Sequence, residues 1–244
     1  MGAEAMLRLG IEPAAVLRWA ARHDPTPLPG GAPIRATRDS IAADLAGADW
    51  RAVVARWCSP LLGRLDAHLF HGLIRTAHAA RALENHDCPE SRGELATGIA
   101  AWVGWAERAE LVTVQASSDS DSDSDADSLA MIVEYARRGA AAFATRPSIF
   151  NLHAVTAPMA YLLLAPHLTS ASNALAAGMF ARTHQHHPAP PASIYSWIPP
   201  SRAQFAELAK RRDAHPAKLV EAALRGLAIT GDGAFISAVA TMLA

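Results

Sequence analysis

The chain has 244 residues, 51% of them hydrophobic, with 22 Lys and Arg against 23 Asp and Glu and a formal charge of −1. That length suffices for one domain with a substantial core or for two small ones. The near-neutral balance leaves no global electrostatic reason to bind nucleic acid or an anionic membrane. Two cysteines, Cys58 and Cys88, make neither a disulfide framework nor a CxxC knuckle, and they suit the reducing cytoplasm.

Ala and Leu dominate while β-branched and aromatic clusters are few, which favours helices. Met1–Arg22 reads as helix restarted at Pro13, a residue suited to a first turn. Its start carries acidic Glu4 and no long apolar run, so it does not read as a secretory signal. His23–Pro33 reads as a Pro/Gly loop. A helix is expected from about Asp39 under an Asp39 cap, and another after Asp49, interrupted at Pro60.

The stretch His68–Leu83, HLFHGLIRTAHAARAL, reads as the central helix. It places His71 and His78 on one face, about 10.5 Å apart along the axis. Leu73, Ile74 and Leu83 should bury it, so both rings need partners. Core histidines bonded to carbonyls and a metal or catalytic site are both open readings. ENHDCPES then forms a turn with His86 exposed. Arg92–Val112 reads as an amphipathic helix carrying Trp102 and Trp105.

Ser117–Ser128, SSDSDSDSDADS, cannot bury apolar surface and reads as a solvated, disordered linker. A calcium loop through Asp123, Asp125, Asp127 and Glu134 is the weaker alternative, because Ser128 stands where that loop needs Gly. A helix follows from Leu129. Ile149–Leu168, IFNLHAVTAPMAYLLLAPHL, puts His153 in an apolar helix beside Thr156. Its most apolar piece, Ala157–Ala165, is short and bounded by prolines, a core helix and not a membrane span. His167 should lie at a helix end. His184, His186 and His187 read as an exposed loop tract.

In RDAHPAKLVEAALR, Arg212–Arg225, His215 precedes Pro216 at a helix start, and Lys218 shares its side of the turn. A capping-region His and a surface Lys are the plain alternative. A Gly-punctuated turn, TGDG, leads to a final helix. The expected fold is all-α. Residues 1–116 and 129–244 would be two helical parts of one bundle-like domain, joined by the linker 117–128.

Three of these stretches, FHGLIRTAHAARAL, LHAVTAP and DAHPAKLVEAALR, in this order with RGELATGIAAW and the late TGD turn, resemble the questin oxidase-like family. That family includes fungal enzymes that oxidise and open anthraquinone rings in aromatic polyketide pathways. This chain looks like a bacterial member from about Leu7 to its end. The resemblance implies a helical non-haem oxygenase taking O₂ and a small aromatic substrate, with Fe(II) held by His71, His153, His215 and Lys218. Imidazole suits Fe(II), and rings from three helices can converge in a bundle core. A protonated Lys is no ligand, so Lys218 would be deprotonated, displaced, or, as favoured here, carboxylated by CO₂ to an anionic oxygen donor. Arg75 would hold a phenolate or enolate oxygen, and His78 would act behind the ligands or face the substrate. NADPH as reductant is implied by the resemblance alone, for there is no GxGxxG after a strand.

Two departures stand out. Arg75 occupies a position where the fungal pattern often has a second His. An Asn–His motif expected before the segment matching Ala5–Gly10 falls before Met1. Two rival classes remain, a metal-dependent hydrolase and a non-catalytic helical binding protein. The hydrolase needs a His–Asp pair, and His23–Asp24 and His86–Asp87 both read as loop residues.

Overall fold

The computed structural model describes residues 1–23, 31–108, 125–184, 199–211 and 213–244. The protein is all-α, and no strand occurs among the described residues. The helices are α1 (Gly2–Arg8), α2 (Pro13–Ala21), α3 (Ala32–Gly47), α4 (Trp50–Cys58), α5 (His71–Asn85), α6 (Pro89–Ala106), α7 (Asp125–Thr145), α8 (Ile149–Leu164), α9 (Ser170–His184), α10 (Arg202–Leu208), α11 (His215–Thr230) and α12 (Gly233–Leu243). Short 3₁₀ segments span Ser59–Arg64 and Ala165–His167.

Several boundaries follow the local chemistry of the sequence. Pro13 opens α2, the Asp49 carboxylate accepts the Arg51 amide hydrogen to cap α4, and Asp232 does the same for Ala234 in α12. Others correct the sequence reading. Helix α3 begins at Ala32, not near Asp39, because Pro33 fits the first turn and Ile34, Ile41 and Leu45 form one buried stripe. Asp39 lies inside that helix and pairs with Arg38. Residues Asp125–Ser128, expected in the linker, form the first turn of α7, where acidic side chains favour a helix N-terminus. That also removes the calcium-loop reading, since Asp125 and Asp127 are helical and Asp123 lies outside the described residues. The rest of the linker, 117–124, lies outside them too.

The chain groups into two compact units, one of residues 1–26, 133–159 and 186–244, the other of residues 27–132 and 160–185. In the first, α1 packs on α2 and α11, and α11 packs on α12. The Trp19 indole N–H donates to the Arg211 carbonyl at 3.0 Å, tying α2 to the segment before α11. Arg225 of α11 donates to the Met159 carbonyl of α8 and pairs with buried Glu221. Gly139 of α7 lies against the backbone of Ala154, so these two helices cross closely near His153. Residues Ile149–His167 are long and apolar enough to cross a membrane, and 67% of that stretch is buried inside the protein.

In the second unit, α5 packs along α6, and α3 covers α6. Trp102 is fully buried and donates its indole N–H to the Arg64 carbonyl at 3.2 Å. Tyr161, Asn173 and Asp125 form a hydrogen-bond chain with links of 2.6 and 2.7 Å. Helix α5 starts at His71, three residues later than the sequence reading, because His68, Leu69 and Phe70 all have positive φ, 50°, 54° and 63°. A left-handed residue other than Gly costs roughly 1–2 kcal/mol, so three in a row persist only where the surroundings hold them.

The α5–α6 approach is set by one small residue. A Cβ added at Gly72 would lie 2.6 Å from the Cβ of Trp102 and 2.7 Å from its Cα. Gly72→Ala should therefore destabilise the fold by about 1–3 kcal/mol, the usual cost of overpacking. Urea unfolding checks this; an unchanged midpoint would contradict the packing.

Candidate metal centre

The first unit brings two of the expected ligands together. His153, 1% exposed on α8, and half-buried His215, first residue of α11, have ring centroids 5.3 Å apart at 76°. Their ligand nitrogens lie within 4.8 Å of each other. Each ring is oriented through Nδ1. His153 Nδ1–H donates to the Ile149 carbonyl one turn earlier, at 2.8 Å. His215 Nδ1–H donates to the Asp213 carboxylate at 2.6 Å, and the same oxygen accepts the His215 amide hydrogen at 3.0 Å. A ring whose Nδ1 carries the proton has its coordinating lone pair on Nε2. Oxygen acceptors behind ligating imidazoles play this role in metal sites.

Asp213 is the candidate residue the sequence reading passed over. Hydrogen bonds from His215, ring first, hold its carboxyl down at about 2, with burial opposing. It therefore stays ionised at neutral pH. The signal lay in DAHP: an Asp side chain readily bonds the amide two residues on, just where a helix begins.

Lys218, one turn along α11, is 2% exposed, so the surface-lysine alternative does not hold. Burial lowers its pKa to about 8, and the Asp213 charge partly opposes this. An amine in that range is substantially neutral near pH 8, the form that can react with CO₂ or coordinate. The hydroxyl of Thr156, on α8 one turn after His153, is buried with no hydrogen-bond partner among the described residues. A ligand oxygen or water there would satisfy it.

The second unit holds the other expected residues. His71 is half-buried at the first position of α5, and its Nδ1–H donates to the His68 carbonyl at 2.7 Å. It therefore has the same tautomer as His153 and His215. His78 is oriented the other way round. It is 3% exposed, and its Nδ1 accepts from Arg81 at 3.2 Å, which puts the proton on Nε2. That ring donates through Nε2, as fits a role other than ligand. Arg75 grips Glu94 of α6 with two hydrogen bonds of 2.9 and 3.1 Å. Its guanidinium fork joins α5 to α6, so any substrate oxygen would share it.

Trp102 is a packing residue, whereas half-buried Trp105 stacks on His68 with centroids 4.5 Å apart. His167 lies at a helix end as expected, bonded to Glu84 at 3.1 Å, and His86 is exposed. His184 corrects the loop reading. It ends α9 fully buried, with Nδ1–H donating to the Phe180 carbonyl at 3.0 Å. Its neighbours His186 and His187, and Asp24, lie outside the described residues.

No family model, curated protein or solved structure matches the chain. The chemistry must be read from its own residues.

Two predictions follow from this geometry. Replacing Asp213 by Asn removes the charge behind His215, and loss of such an acceptor lowers metal affinity by about 10- to 100-fold. Metal titration of wild type against Asp213→Asn checks it. Lys218 gives a pH test in the metal-free protein. Its folded value is about 8, and an unfolded Lys titrates near 10.4. Between those values the unfolded chain keeps a proton that the folded one has lost, so this residue's contribution to stability rises with pH. Buried Cys58, pushed up to about 12, acts in the opposite direction, so the comparison needs a difference. Lys218→Met should be more stable than wild type at pH 7.5, and the gap should shrink by about 2 kcal/mol by pH 9.5. A constant gap across that range would contradict a protonatable buried amine.

Proposed function

We propose that the protein is a non-haem metal-dependent oxidoreductase, resembling questin oxidase, that acts with O₂ on an aromatic polyketide or anthraquinone-like substrate. The resemblance assigns His71, His153 and His215 to one metal ion, and iron is the metal it names. The observation that carries the reading is the shared tautomer: each of these rings gives Nδ1–H to a fixed oxygen and keeps Nε2 for coordination. Iron(II) in such a nitrogen set supplies O₂ activation when bound.

The chain's own groups do the rest. Asp213 holds His215 in register and offsets positive charge. Lys218, carboxylated by CO₂, adds an anionic oxygen donor. The lowered amine pKa favours that addition, because the neutral amine is the reacting form. Arg75 binds a phenolate oxygen of the substrate while still bridging to Glu94, and His78, protonated at Nε2, supplies a hydrogen-bond donor or a proton. NADPH enters as reductant on the resemblance alone.

The Asp213–His215 pair also favours a second reading, a metal-dependent hydrolase, since that class needs a carboxylate-oriented His. Metal content and O₂ uptake separate the two. Untagged protein reconstituted anaerobically with Fe(II) should hold about one iron per chain and consume O₂ with a hydroxyanthraquinone. His71→Ala, His153→Ala and His215→Ala should each lose most of the iron, whereas His78→Ala should keep it. Stoichiometric zinc without O₂ uptake supports the hydrolase. Retention of iron by His153→Ala removes the site altogether. Native mass spectrometry showing unmodified Lys218 in active protein would exclude carboxylation.

A further inference from the structure

The left-handed turn His68–Phe70 runs against the backbone preference of its residues. It sits immediately before His71, and the His68 carbonyl accepts twice from that residue: from its amide at 3.2 Å and from its ring Nδ1–H at 2.7 Å. If these three residues were right-handed, the helix would extend backwards. The His68 carbonyl would then point along the axis to the amide four residues on, and the ring would lose this acceptor. The left-handed turn therefore makes the His68 carbonyl, rather than one a full helical turn back as at His153, the group that holds the His71 Nδ1 proton.

Two ring stacks grip the turn at its ends. His68 lies on Trp105 of α6, centroids 4.5 Å apart and planes 24° from parallel. Phe70 stacks on Phe180 of α9 at 5.9 Å and 21°. Phe70 is buried by its partner, but His68 is exposed, so its stack on Trp105 is not simply a consequence of core packing. Trp105 also lies 6.4 Å from the His71 ring itself. We infer that Trp105 and His68 are positioning residues for His71: their stack holds the strained turn, and the turn's carbonyl keeps His71 in the tautomer that presents Nε2. The link to metal rests on the proposed function; the link to the tautomer does not.

The test reads the two separately. Nitrogen-15 spectra of histidine-labelled, metal-free protein report the proton position on each ring. Wild type should show His71 protonated on Nδ1. Trp105→Ala should convert it to a mixture with substantial Nε2–H, and Trp105→Phe, which retains a stacking face, should restore the wild-type pattern. Because Trp105→Ala removes partly buried surface, His68→Ala serves as the second variant. It deletes only an exposed ring, leaves the carbonyl in place, and should give the same mixture in a protein that melts like wild type. Fe(II) affinity should fall by about 10- to 100-fold in both alanine variants. A His71 that stays on Nδ1–H in Trp105→Ala or in His68→Ala overturns the inference. Failure of wild type to bind any metal overturns the proposed function, while the nitrogen spectra still decide the role of Trp105 and His68.

Discussion

An imidazole that gives its Nδ1 proton to a rigid oxygen has only one way left to bind a metal. That constraint is what the proposed metal chemistry of this protein depends on. His153 takes its acceptor from its own helix, the Ile149 carbonyl one turn back. His215 takes a carboxylate two residues earlier, and His71 takes a carbonyl from a left-handed turn. Three different local structures produce the same tautomer. His78, seven residues after His71 on the same helix, accepts at Nδ1 from Arg81 and is oriented oppositely. Ring orientation thus separates residues that composition alone treats alike.

Holding these rings has costs in the scaffold. Lys218 is buried where its charge is unfavourable, and three residues before His71 adopt backbone angles that L-amino acids avoid. Tight packing around both features keeps them in place. Gly139 brings α7 onto α8 beside His153, and Gly226 lets α11 approach the Phe235 ring of α12. Gly72 seats α5 against Trp102. Each contact leaves no room for a Cβ, so the helices that carry the histidines have little freedom to slide or rotate.

Much of the helical layout was legible in the sequence. Pro13 and Asp49 mark starts that the structure confirms, because first-turn prolines and capping carboxylates act within a few residues, and the TGDG turn does lead into a final helix. The errors came where local signals competed. Asp39 resembles a cap, yet the buried stripe from Ile34 to Leu45 carries α3 straight through it. Asp125 belongs to an acidic run, yet it is the first residue of α7 and accepts a hydrogen bond from Asn173, far along the chain. His184 sits in a tract that reads as exposed, but the helix before it buries the ring.

By itself, the sequence determined that the chain is helical and which short motifs carry its ionisable side chains, because periodicity and caps are local properties. It contained Asp213 and His68 without revealing their use. The tautomers of His153, His215 and His78 follow from partners two to four residues away. That Lys218 loses contact with water, that Arg75 is bound to Glu94 and that the turn before His71 is left-handed were decided only by tertiary structure. Those outcomes depend on groups remote in sequence or on a handedness that packing imposes against local preference.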